Sequence, residues 1–123
     1  MSVKKAETER IVFLTCSGAS NSGQIANRVA IKLTEEGLGN LCCLAGIGAH
    51  IEAMIKHVKS ADKIVVLDGC PTACARKLTE HLGIHVSDHI RITDLGIKKV
   101  HNFAIKADEI MLVADHAKKI LGK

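Results

Sequence analysis

Apolar and polar positions fall along this chain in alternating blocks. Four short runs are dominated by aliphatic residues: RIVFLTC from Arg10, NLCCLA from Asn40, KIVVLDG from Lys63 and HIRITDLG from His89. All but the last are nearly continuous in apolar residues, as strands covered on both faces require. Between the runs the spacing becomes helical. Residues 23–36 carry Ile25, Val29 and Leu33 at intervals of four and stop at Gly37; residues 49–60 carry Ile51, Met54, Ile55 and Val58; residues 72–82 stop at Gly83. A last helix is predicted over about 107–121. Strand and helix in regular alternation predict a mostly parallel sheet with right-handed crossovers, a small three-layer α/β sandwich of Rossmann-like type. The piece IKKVHNFAI, residues 97–105, fits a short helix, a loop or an additional strand equally well.

Composition narrows the class. A chain of 123 residues suits one domain, taken as 1–123, with a real aliphatic core. The 47% hydrophobic and 24% charged content is that of a soluble globular protein. No stretch approaches the roughly 20 apolar residues of a membrane helix, so no membrane partner is expected. The charged start MSVKKAETER runs into the first strand without a secretory apolar segment, which predicts a cytoplasmic location. The net charge of +4 is scattered over lysines such as Lys4, Lys5, Lys56, Lys98, Lys99, Lys118 and Lys119. With two Phe and neither Trp nor Tyr, stacking platforms are scarce, and nucleic acid is not an expected partner.

The five cysteines carry the chemistry. In a reducing compartment such clusters serve metals or redox reactions more often than structural disulfides. Cys16 closes the first run, Cys43 lies near the end of the second, and Cys70 follows the third at a turn into a helix. The carboxyl ends of parallel strands lie on one edge, where ligand sites form. Cys74 follows Cys70 by four residues, and with Pro71 at the first helical position it would face back toward Cys70. Four convergent thiolates suit a tetrahedral zinc centre; iron–sulfur clusters or copper(I) are the less favoured occupants of a soft-sulfur site. Cys42 reads as a core residue, because strand alternation turns it to the face opposite Cys43.

These residues also carry a resemblance. CSG at Cys16, CLAGI at Cys43 and LDGCPTACA around Cys70 and Cys74, with TDLGIKK at 93–99, resemble the DGC-domain family of zinc-binding proteins, named for the motif that is Asp68-Gly69-Cys70 here. The resemblance covers nearly the whole chain. It implies a small α/β domain whose four chelating cysteines are Cys16, Cys43, Cys70 and Cys74, without assigning a biochemical role.

Other readings compete for the same edge. CSGASNSGQ, residues 16–24, has a strand before it and a helix after it, so Ser17 and Gly18 are candidates for binding a small anion through backbone N–H groups. The Gly-Lys-Ser/Thr of a nucleotide loop is missing, and Ser22 stands where a cysteine phosphatase needs arginine. A thiol redox enzyme would use Cys70 near a helix N-terminus with Cys74 as resolving thiol. A zinc ion with an open position would instead be a Lewis acid. Asp68 is a candidate to brace the corner, His50 to reach the edge, and Lys98, like Lys99, to offset negative charge or meet an anion. His81, His85, His89, His101 and His116 read as solvated or capping residues.

Overall fold

The structure, a computed structural model, describes residues 9–123; the segment 1–8, with Lys4 and Lys5, lies outside the described residues. Four strands, β1 (Ile11–Thr15), β2 (Asn40–Leu41), β3 (Lys63–Asp68) and β4 (Asp88–Arg91), form one sheet in the order β2-β1-β3-β4. Every pairing is parallel. The helices are α1 (Asn21–Glu35), α2 (Leu44–Gly48), α3 (Glu52–Lys59), α4 (Cys74–His81) and α5 (Ala107–Leu121), with a 3-10 turn at Ile92–Leu95.

Strand order and handedness fix the layers. The chain steps from β1 to β2 in one direction, then back across β1 to β3 and on to β4. Right-handed crossovers therefore put α1 on one face and α2, α3 and α4 on the other. The packing follows: Ile11, Phe13, Val65 and Leu67 meet Ile25, Val29 and Leu33 of α1 and Val113 and Ala117 of α5. Val12, Leu14, Ile64 and Val66 meet Ile47, Val58 and Ala75 on the far side. Alternate residues of β1 and β3 thus feed two cores, which is why both strands are apolar throughout. The sheet is the middle of three layers.

Several boundaries differ from the sequence reading. The run NLCCLA pairs over two residues only; Cys43 is the N-cap of α2, so the apolar stretch after Leu41 is helix rather than strand. The helix read as 49–60 begins at Glu52, and the one read as 23–36 begins at Asn21, where the Ser20 side chain accepts from the Gly23 N–H. The helix read as 72–82 begins at Cys74: Pro71 sits inside a turn closed by the Ala73 N–H on the Cys70 carbonyl (3.0 Å), not at the first helical position. In HIRITDLG, residues past Arg91 coil into the 3-10 turn, which ends at Gly96 in the left-handed region. Residues 97–105 are irregular loop. No described helix is long and apolar enough to cross a membrane.

Candidate thiol and metal site

The strand order reverses direction at β1, so the crevice between the carboxyl ends of β1 and β3 is the natural ligand position of this sheet. Three glycines let the two loops there meet backbone to backbone. A Cβ on Gly69 would fall 2.6 Å from the Gly23 nitrogen, and one on Gly23 would fall 2.7 Å from the backbone of Gly18. The contact brings the Gly69 N–H to Cys16 Sγ at 3.3 Å, while the Cys16 N–H donates to the Leu67 carbonyl at 3.2 Å. Burial pushes the Cys16 thiol up; the N–H groups of Gly69 and Gly18 act against this, and Asp68 and Cys74 add to it.

Asp68 organises the other side. Its carboxylate is 1% exposed and accepts from the N–H groups of Ala75 (2.8 Å) and Arg76 (3.1 Å), and it lies 2.8 Å from His89 Nε2. Helix α4 needs this help, because its N-cap is Ala73, which has no capping side chain and sits at φ 52°. Asp68 thus caps the helix from the preceding strand and fixes where Cys74 starts it. His89, on β4, reads from sequence as a solvated or capping residue; nothing in the chain order signals its place beside Asp68.

Cys70 lies between these supports. Hydrogen bonds from Thr72, hydroxyl first, hold its thiol below the ordinary range against the opposing effect of burial, and Lys99 Nζ stands 3.5 Å from its sulfur. Cys16, Cys70 and Cys74 line one cleft of about 390 Å³ together with Gly18, Asp68, Thr72, Lys99 and His101. Cys43 opens onto an adjoining cleft of about 500 Å³ that also touches Cys16. Cys42 borders that second cleft too, but its N–H still donates to the Phe13 carbonyl (3.0 Å) and its side chain packs against the core with Val12 and Leu14, as read from the sequence, and burial raises its thiol.

The remaining candidates divide. Ser17, at φ 48°, joins a hydroxyl cluster with Thr15 and Asn27 on the wall of the second cleft. His50 does not open the helix that follows Cys43, since α2 intervenes; it faces the His81 ring instead, centroids 6.3 Å apart, and lines neither cleft. Lys98 contributes its backbone carbonyl, which accepts from Asn21 Nδ2 at 2.9 Å, and its neighbour Lys99 supplies the ammonium at the sulfur.

A cleft where three cysteines from two strand ends meet, behind an Asp-Gly-Cys turn, is matched by the sequence profile of the DGC domain over residues 12–117. The chain belongs to the DGC-domain family. This DGC domain is also similar to Anaerobic and virulence modulator AnvM of Pseudomonas aeruginosa, with 32% identity over 84 residues, 68% of the chain. The match spans 64% of that relative's own length. No solved structure matches the chain.

Set against a four-sulfur centre, the DGC domain has the right donors but not the right spacing. Among the described residues no three His, Cys, Asp or Glu side chains are grouped so as to hold one metal ion. The sulfurs border two adjoining clefts that share Cys16.

Proposed function

We propose that this DGC domain takes up a thiophilic metal ion, zinc before copper or iron–sulfur, through Cys16, Cys70 and Cys74, with Cys43 drawn in from the adjoining cleft as the fourth donor. The observation that carries this reading is that three cysteines from two separate strand ends line a single cleft. Soft sulfur donors, with the cleft's carboxylate Asp68 already engaged by Ala75, Arg76 and His89, favour zinc and copper(I) over magnesium or calcium. Because neither the three sulfurs of the cleft nor Cys43 are gathered beforehand, uptake is coupled to rearrangement of the cysteine side chains and of the loop after β2, and the domain is a metal carrier or sensor rather than a permanently occupied structural site. The experiment is metal analysis and thiol counting on protein purified reduced without added metal, comparing the parent with Cys74→Ser. About one zinc per chain, lost in the variant, supports the reading. Metal-free protein with a reversible Cys70–Cys74 disulfide overturns it.

A second reading has its own observation. The Thr72 and Lys99 contacts to Cys70 stabilise a thiolate without any metal, as a redox-active thiol requires. AnvM is named as an anaerobic and virulence modulator; a thiol site that responds to oxidant suits such a role, and we carry that much to this chain as a proposal. A small anion, with Lys99 as its counter-charge, belongs with this second reading.

A further inference from the structure

We infer that Lys99, fixed above Cys70 by Asn21, makes the Cys16–Cys70–Cys74 cleft a receiving site for anionic disulfides of low molecular weight. The inference rests on the second reading, in which Cys70 is a reactive thiol, and applies to the metal-free chain.

The loop that carries Lys99 has no regular structure of its own, yet three hydrogen bonds from one residue pin it. Asn21 is 4% exposed and begins α1. Its Nδ2 donates to the Lys98 carbonyl (2.9 Å), its Oδ1 accepts from the Val100 N–H (2.7 Å), and its own N–H donates to the Val100 carbonyl (3.3 Å). The residue between the clamped pair is Lys99. A buried amide therefore holds the two neighbours of an exposed lysine and leaves that lysine's ammonium 3.5 Å from Cys70 Sγ. A side chain needed only for solubility would not require its backbone to be fixed in this way.

The ammonium attracts a negatively charged reactant toward Cys70 Sγ in a cleft of about 390 Å³, large enough for a small disulfide. The step balances without an added oxidant. Cys70 thiolate attacks one sulfur of R–S–S–R, a Cys70–S–S–R bond forms, the S–S bond of the reagent breaks, and its other half departs as R–S⁻. The reagent sulfur that leaves takes the electron pair of the broken bond, and no proton moves.

The test separates attraction from activation. Metal-free, reduced full chain is mixed in stopped flow with the dianionic dithiobis-nitrobenzoate and, separately, with neutral dithiodipyridine, for the parent, Cys70→Ser, Lys99→Gln and Lys99→Arg. Thiolate activation affects both reagents; attraction affects only the charged one. Lys99→Gln is expected to slow the anionic reagent about tenfold and the neutral reagent about twofold, while Lys99→Arg stays near the parent and added salt shrinks the anionic advantage. Lys99 is exposed, so these variants fold. A fast phase that survives Cys70→Ser removes the reactive-thiol reading itself. A Cys70-dependent fast phase whose anionic-to-neutral ratio is unchanged in Lys99→Gln keeps that reading and overturns the inference.

Discussion

The loops that follow β2 and β3 both carry cysteines to the same edge of the sheet, but the fold holds them very differently. After β3 the chain is braced at every step. Asp68 caps α4, Gly69 packs against Gly23, the turn at Pro71 closes on Ala73, and Cys74 begins a helix of eight residues. After β2 the bracing is lighter: the strand is two residues long and Cys43 caps a five-residue helix without a side-chain hydrogen bond, and it is Ile47 of that helix that anchors it in the core. The contrast assigns different work to the two. The β3 corner presents Cys70 and Cys74 from a braced backbone, whereas Cys43 stands on the more lightly braced loop, the part that would have to close if the proposed metal ion is taken up.

The comparison breaks most completely at Asp68. Asp68→Ala leaves the Ala75 and Arg76 N–H groups without their acceptor and His89 without its partner, in a buried setting. Loss of a helix cap and a buried hydrogen-bond acceptor together should cost about 3 kcal/mol. Urea denaturation reads this, and hydrogen exchange should find the Ala75 and Arg76 amides at the helix start stripped of their protection. A variant as stable as the parent would mean the corner is held by something other than this carboxylate. Gly69→Ala should come next, at about 2 kcal/mol, since its methyl group would collide with the Gly23 backbone and force the two loops apart. Its expected signature is a Cys16 thiol that reacts faster, because opening the cleft relieves the burial that is the main cause of its raised thiol and outweighs the loss of the Gly69 N–H; unchanged Cys16 reactivity would show the loops are not coupled there.

How far these features were legible in the sequence follows from the physics of each. β1 and β3 were readable because strands feeding two cores must be apolar on both faces, and Val12, Phe13 and Val65, Val66 are. α1 and α5 were readable because a long helix on one face repeats its buried side chains, as Ile25, Val29 and Leu33 do. The segment after Asn40 was not, since a short apolar run suits a strand or a buried helical turn equally, although Cys42 does pack against the core as its apolar setting suggests. The partner of His89, and which of Lys98 and Lys99 reaches the sulfur, escaped for a different reason. His89 and Lys99 each owe their place to a partner far along the chain, Asp68 and Asn21, and no local spacing records a contact across layers.

The smallest expected effect sharpens the comparison instead of breaking it. Ala73 holds a left-handed conformation, φ 52° and ψ 51°, between Cys70 and Cys74. That region costs a residue with a Cβ about 1 kcal/mol or more. Ala73→Gly removes the cost but also gives the unfolded chain more freedom, so the net gain in stability should be about 0.5 kcal/mol. If the corner is fixed by Asp68 and the packed glycines, relief at Ala73 leaves the sulfurs where they are. The variant should therefore melt slightly higher, with Cys70 and Cys74 alkylation rates within about twofold of the parent. A more stable variant with a markedly slower Cys70 would instead mean that the strained turn itself aims the sulfur. The rigidity of the β3 corner would then reside in five residues of backbone rather than in the carboxylate beneath them.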